Sequence, residues 1–331
     1  MKRKLRLGFI GCGNMASRHA ENVASIDGVE LAAFCSKGGD RAEQLRAEYG
    51  QGYATTDAEK VFTDKTIDAI FIVTGGIEQS AAGPYYENAL MHSEYSISAA
   101  GNGKHIFLEK PISTSLEEAD RIVIAVKSSG IKFQLGFCFE YSPTVEKARQ
   151  FMPNPAYSIC QCAGGLTAQA CHNIDLIVHK FHQSQLISVF ASGGKFIDTD
   201  KQLPIDSFSA IFKFEDGSTS SYVQHGTMNP GLSKFQFQLF NRDGCVFLGD
   251  RFRDVFWYPA DGKLEAADRN ELSYMGHRQV AEDWIDCIRT DRTPVNTAKR
   301  GRFVLAVEKA IIESAMTGKV IRMNDFMTSG V

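Results

Sequence analysis

The sequence predicts a doubly wound parallel α/β sheet followed by a second region of antiparallel strands and helices. Three observations carry that reading. Short apolar runs alternate with helix-forming stretches from Leu5 to Leu108, as strand–helix–strand units require. Gly11-Cys12-Gly13-Asn14-Met15-Ala16 follows the first run, and Glu109-Lys110-Pro111 follows the last. Beyond Ser207, strands are joined by polar turns such as Glu215-Asp216-Gly217-Ser218 and Asn241-Arg242-Asp243-Gly244.

Taken in order, Leu5–Ile10 reads as a buried strand, Ser17–Ser25 as a helix, Glu30–Cys35 as a strand and Arg41–Tyr49 as a helix. Ile67–Thr74 holds the continuous apolar run Ala69–Val73, the style of a parallel strand covered on both faces. Glu87–Ala100 reads as a helix, and Gly103-Lys104-His105 turns the chain into the strand Ile106–Leu108. In the second region Ser207–Phe214 and Thr219–Gln224 form a hairpin. Phe235, Phe237 and Leu239 alternate with Gln236, Gln238 and Phe240, and Cys245–Leu248 adds a further strand. Helices are expected from His277 to about Arg289 and from Arg300 to Thr317, the latter closed by Gly318. There is no internal repeat. The expected boundary lies near Gly130, giving domains 1–130 and 131–331.

Composition narrows the function. At 331 residues the chain is long for one core. A net charge of -3 gives no reason to expect nucleic acid or an anionic membrane as partner. No run approaches the roughly 18 apolar residues of a membrane helix. The basic start Met1-Lys2-Arg3-Lys4 leads into Leu7-Gly8-Phe9-Ile10, which breaks at once into the glycine turn, so no signal peptide is expected. Eight cysteines are too sparse for a disulfide scaffold, and a reducing cytoplasm is the expected home. Cys160-x-Cys162, with Cys171, His172, His179 and His182 nearby, matches no familiar zinc spacing, and no metal is expected.

The glycine turn has a mechanical reading. Gly11 permits the tight turn, Gly13 lets the backbone approach a pyrophosphate, and Ala16 lets the helix pack on the strand with its N-terminus toward the phosphates. Cys12, Asn14 and Met15 complete this cradle. In NAD-binding sheets an acidic residue at the end of the second strand takes the ribose 2′-hydroxyl. Here that strand ends in Ser36-Lys37, a hydroxyl and an ammonium that suit a 2′-phosphate, so NADP is favoured, with NAD possible. Ligands bind at the carboxyl ends of such strands, so Thr74, Glu109 and Lys110 are expected to face the cofactor.

With these motifs in place, the chain resembles the glucose–fructose oxidoreductase / inositol dehydrogenase (Gfo/Idh/MocA) family over nearly its whole length. The glycine turn, Gly103-Lys104-His105 and Glu109-Lys110-Pro111 fall in the family order. Cys171-His172-Asn173-Ile174-Asp175, after Gly164-Gly165, is similar to the family's His-x-x-Asp segment, and Ser314–Lys319 to its closing helix and turn. The resemblance implies a Rossmann domain and a C-terminal α+β domain with an open, mostly antiparallel sheet that assembles homodimers or homotetramers. It implies a nicotinamide-dependent oxidoreductase that interconverts a secondary alcohol and ketone on a sugar, polyol or sugar derivative, with Lys110 and His172 flanking the reacting carbon.

Hydride chemistry on an alcohol needs an acid/base and a way to stabilise developing negative charge. His172, whose imidazole titrates near neutrality, is the candidate acid/base. Lys110 is the candidate electrostatic catalyst. Asp175, at i+3 from His172, can share its helix face and bind a substrate hydroxyl or tune the imidazole, and Gln169 is a further candidate substrate contact.

The chain also departs from the family. Position 168, four residues before His172, is alanine where many members carry aspartate. Phe137-Cys138-Phe139-Glu140-Tyr141-Ser142-Pro143 stands where many carry paired arginines. Ala156–Ala163 is short where relatives have a long substrate-side loop. Gly75–Met91, with Tyr85 and Tyr86, is longer than usual and reads as a lid or a surface loop. These differences leave two alternatives open: a reductase of another C=O or C=N group in biosynthesis, and an NADP-binding regulatory relative without catalysis.

Overall fold

A computed structural model describes residues 3–74, 85–164, 166–197, 203–226, 235–266 and 275–328. The chain opens with β1 (Leu5–Ile10), α1 (Asn14–Ala24), β2 (Val29–Cys35), α2 (Asp40–Tyr49), β3 (Tyr53–Thr55), α3 (Ala58–Thr63) and β4 (Ala69–Ile72). It continues through α4 (Tyr85–Gly101), β5 (His105–Leu108), α5 (Leu116–Ser129) and β6 (Phe133–Leu135). After a 3-10 turn at Cys138–Tyr141 come α6 (Pro143–Phe151), β7 (Tyr157–Ala163) and α7 (Leu166–Asp175), which runs on as a π-helical turn, Leu176–Phe181. Then follow β8 (Leu186–Gly194), β9 (Ser207–Phe214), β10 (Thr219–His225), β11 (Phe235–Asn241), β12 (Gly244–Gly249), β13 (Asp254–Pro259) and β14 (Glu265–Ala266). The chain closes with α8 (His277–Thr290), α9 (Ala298–Thr317), β15 (Ile321–Arg322) and α10 (Met323–Thr328).

The chain divides into two compact units. The first runs to Gly136 and takes back His277–Arg302. The second holds Phe137–Gly276 and Phe303–Val331, so the division falls within α9. A single cut near Gly130 therefore differs from the observed partition, because α8 packs on α1 in the first unit.

In the first unit, six strands pair in parallel in the order β3-β2-β1-β4-β5-β6, with the reversal between β1 and β4 that makes a doubly wound sheet. Register aligns Phe34, Phe9, Phe71 and Phe107 across four neighbouring strands. Their rings form a buried row with centroids 4.7–5.5 Å apart. Trp284 of α8 stands edge-on over Phe71 and Phe107, and His19 of α1 packs beside the same two rings. The connections are capped by side chains where they are only structural. Asp57 accepts from Glu59 N at the start of α3, and Ser115 from Glu118 N at the start of α5.

In the second unit, nine strands order as β14-β13-β12-β11-β7-β10-β9-β8-β15. All neighbours are antiparallel except β7 and β10. Alternate residues of β9 and β11 are buried, as a sheet with one dry face requires. On the other face Phe190, Ile211 and Val223 are exposed. Among the described residues no helix is long and apolar enough to cross a membrane.

Candidate functional site: a dinucleotide cleft, a charged lysine turn and an aromatic histidine

The turn after β1 is built for close approach. Gly11 has φ +90, and a Cβ there would stand 2.4 Å from Val73 O, so only glycine lets the turn cross the end of β4. Gly13 occupies the N-cap of α1, which has no side-chain cap and no acidic residue in its first turn. Its leading N–H groups and positive dipole end are thus left for an anion, unlike the capped α3 and α5. A cleft of about 850 Å³ opens here, lined by Gly11, Cys12, Gly13, Asn14, Met15, Ser36, Lys37 and Thr74.

The buried Thr74 hydroxyl has no hydrogen-bond partner among the described residues. An open helix end, an unsatisfied hydroxyl and this volume fit a dinucleotide. Burial, then the charge of Cys35, pushes the Cys12 thiol up to about 12, despite its bond to Cys35 O. Burial and Asp57 push Cys35 up to about 11. Both stay uncharged at neutral pH and do not repel a pyrophosphate.

Lys110 follows β5 in a charged setting. The Glu109 carboxylate accepts from His19 Nε2 at 2.7 Å and from Lys110 N at 3.1 Å. Gly136 leaves room for it: a Cβ there would meet Oε1 at 3.1 Å. Burial favours the acid form of Glu109, but the His19 bond and the charges of His19, Lys110 and His277 outweigh it. The pKa falls to about 2. Glu109 is therefore a carboxylate at neutral pH and the counter-charge to the Lys110 ammonium. The Lys110–Pro111 peptide is cis. Buried His92 on α4 sets Nδ1 2.8 Å from Pro111 O and Nε2 2.6 Å from Thr74 O. Burial pushes its pKa down although both carbonyls pull it up. A neutral ring can donate to only one of them.

His172, on α7, sits among rings. It is 5% exposed, stacked on Phe139 with centroids 4.5 Å apart at 29°, and meets Phe137 edge-on at 6.0 Å. Asp175 is buried, with Oδ1 3.2 Å from His179 Nδ1 one turn on. Gln169 is half-buried, and its carbonyl accepts from Asn173 Nδ2 at 3.3 Å. Lys180 donates to Glu140 O and Oε1 and to Glu146 Oε2, so the carboxylate at position 140 is neutralised within its own unit.

Residues 5–137 match the GFO_IDH_MocA model, described as an oxidoreductase family with an NAD-binding Rossmann fold. Over those residues the chain carries the Rossmann domain of the Gfo/Idh/MocA oxidoreductases. It is 24% identical to a myo-inositol 2-dehydrogenase of Thermotoga maritima, over 97% of this chain and 99% of that protein. It is 23% identical to a scyllo-inositol 2-dehydrogenase (NAD(+)) of Bacillus subtilis, over 98% of each. Among solved structures, levoglucosan dehydrogenase in complex with NADH shares the fold, with a TM-score of 0.82 at 17% identity over 97% of this chain and 99% of that one.

This Rossmann domain gathers the eight turn, strand-end and Thr74 residues expected at the cofactor into one cleft. Glu109 and Lys110 are not among the residues lining it. Lys110 lies in the first unit; Gln169, His172 and Asp175 lie in the second. The expected lid, 75–91, falls largely on residues 75–84, which lie outside the described residues, as do the side chains of Tyr85, Tyr86 and Ala168. Sequence reasoning passed over Asp57, Glu59 and Tyr95, which also line the cleft, and over His19 and His92. His19 reaches Glu109 across 90 residues of chain, and no local pattern marks such a pair.

Proposed function

We propose that this oxidoreductase interconverts a secondary alcohol and a ketone on a sugar, polyol or sugar-derived substrate, using NADP in preference to NAD. The observation that carries the reading is the Lys110 ammonium beside a buried, ionised Glu109, in the unit whose α1 N-terminus stands open. Bound nicotinamide supplies the hydride acceptor or donor. In the oxidation direction a ring nitrogen of His172 takes the hydroxyl proton, and Lys110 stabilises the alkoxide charge that develops on the same oxygen. In reduction His172 returns that proton. Gln169 and Asp175 serve the remaining substrate hydroxyls. The activities that name the two inositol dehydrogenases and levoglucosan dehydrogenase support a polyhydroxylated substrate. Ser36 and Lys37 in the cleft, with no carboxylate closing β2, support NADP.

The test is a panel of inositols and sugars, followed through the near-ultraviolet absorbance of the nicotinamide, with Lys110→Met beside the wild type. Lys110→Met is expected to lower kcat by about 10² to 10³-fold while cofactor still binds. Full turnover in that variant would sink the assignment. Silence of the wild type across the panel, despite tight NADP binding, would favour the non-catalytic relative.

A further inference from the structure

We infer that Phe139 is a positioning residue for His172, holding the plane of the imidazole through a ring stack rather than through a carboxylate. The inference rests on the proposed acid/base role of His172. An acid/base must present one nitrogen in a fixed direction. At His172 the stacked face of Phe139 blocks tilting of the ring, and the edge of Phe137, at 65°, limits rotation within the stack.

Phe139 is itself clamped. Phe235 and Phe252 meet it edge-on, with centroids at 4.8 and 5.1 Å. The backbone beneath it is backed by Gly276, where a Cβ would stand 2.3 Å from Cys138 O.

A second, independent observation concerns Phe252. Asp250, Arg251 and Phe252 have φ of 42, 59 and 64, three successive left-handed residues, each bearing a Cβ. Such a run is costly and persists only where surrounding contacts enforce it. Here Thr144 Oγ1 donates to Phe252 O, and the Phe252 ring is delivered onto Phe139. Backbone strain is thus held in place at the support of the stack.

A phenyl face also attracts a cation, so the stack favours the imidazolium against its burial. Other ionisable groups stand on the elements packed against α7. On its own helical run these are Cys171, Asp175, His179 and Lys180; on the 3-10 turn they are Cys138, Glu140 and Tyr141. On β7 and β10 they are Tyr157, Cys160, Cys162, Tyr222 and His225. Asp250, Arg251 and Arg253 flank Phe252. Glu140 is closed by Lys180, Asp175 lies against His179, and burial keeps Cys160 and Tyr222 protonated.

The experiment uses the full chain saturated with NADP and labelled at histidine. The His172 resonance is assigned through His172→Gln and titrated by NMR. Replacing Phe139 by leucine is expected to lower the His172 pKa by about half a unit, and Phe139→Tyr to restore it. With the best substrate of the panel, kcat is expected to fall about tenfold in Phe139→Leu, with KM for NADP unchanged. A titration curve superimposable on the wild type overturns the inference. Should Phe139→Leu not fold, Phe252→Leu loosens the same clamp and carries the same readout. If His172→Gln turns over like the wild type, the acid/base reading fails, whatever the titration shows.

Discussion

Around Lys110 the neighbours are charges and hydrogen bonds: Glu109, His19, His277, and the His92 ring set between Thr74 O and Pro111 O. Around His172 they are rings: Phe137 and Phe139, with Phe235 and Phe252 behind them. Both arrangements fix a polar group in a buried place, and they fail differently. Removing one partner of the charged set leaves a buried charge without compensation, which is expensive. Removing one ring leaves a cavity and a looser partner, a loss of packing rather than of charge. Changes at the charged set should therefore show in the pH dependence of activity, and changes at the rings in how well His172 is positioned.

The sharpest way to break that contrast is Glu109→Gln. Glutamine keeps the shape and can still meet His19, but the counter-charge to Lys110 disappears. We expect kcat/KM to fall about 10²-fold, with the alkaline limb of the pH–rate profile moving to lower pH as the ammonium becomes easier to deprotonate. A profile that only drops in height would assign Glu109 a role in packing alone.

A milder effect is read in acid, in the second unit. Burial lowers the pKa of His182 to about 4, while Asp216 pulls the other way. The neutral ring lies between Ser158 Oγ at 2.8 Å and Ser218 Oγ at 3.1 Å and stacks on Phe214. The unfolded chain, with a histidine pKa near 6.5, binds the proton first. Stability from this group is therefore complete above about pH 6.5 and is lost as pH falls toward 4. Between pH 7 and 5 that is roughly 2 kcal/mol. For Glu109, lowered to about 2, the corresponding loss begins only below its ordinary value of 4.5. In the first unit burial likewise lowers His277, to about 4, and pushes His92 and His105 down, so that unit loses stability to acid as well. Hydrogen exchange in β7 and β10 should accelerate between pH 7 and 5, and His182→Gln should flatten that pH dependence. Exchange there that is already flat in the wild type would remove His182 from the account.

The two units also differ in how much of them was legible in the sequence. β1, the glycine turn and β5 with Glu109-Lys110 were readable because each signal is local: an apolar run, a glycine, a neighbour. The hairpin of β9 and β10 was readable from alternation and one turn. Helix α1 begins at Asn14 rather than Ser17, because Gly13 already caps it inside the turn. The strands β3 and β6, three residues each, and the six-residue α3 are too short to show a period. What held the site was less visible still. The contacts of His19 with Glu109, His92 with Thr74, and Phe252 with Phe139 join distant parts of the chain. The α8 helix was legible as a helix, but its return to the first unit rests on Trp284 meeting Phe71 and Phe107.

The smallest expected effect falls on the cofactor cleft, where the charge is exposed rather than buried. Lys37 and Ser36 line it beside Asp57 and Glu59. The Asp57 carboxylate is committed to Glu59 N, 2.9 Å away, at the cap of α3, and Ser36 Oγ accepts from Ala42 N at 3.2 Å. Lys37 is thus the cation best placed to meet a 2′-phosphate, through solvent and subject to screening. Lys37→Ala should raise KM for NADP about tenfold, roughly 1.4 kcal/mol, and leave KM for NAD unchanged. The NADP effect should shrink as salt is added, because an exposed ion pair is screened within about 8 Å at physiological ionic strength. A wild type that prefers NAD, or a variant that loses both cofactors equally, would remove the case for NADP and leave Lys37 as an ordinary solvated lysine. Either outcome would leave the buried charges around Lys110 untouched, so the contrast between the two units does not depend on which nicotinamide cofactor is used.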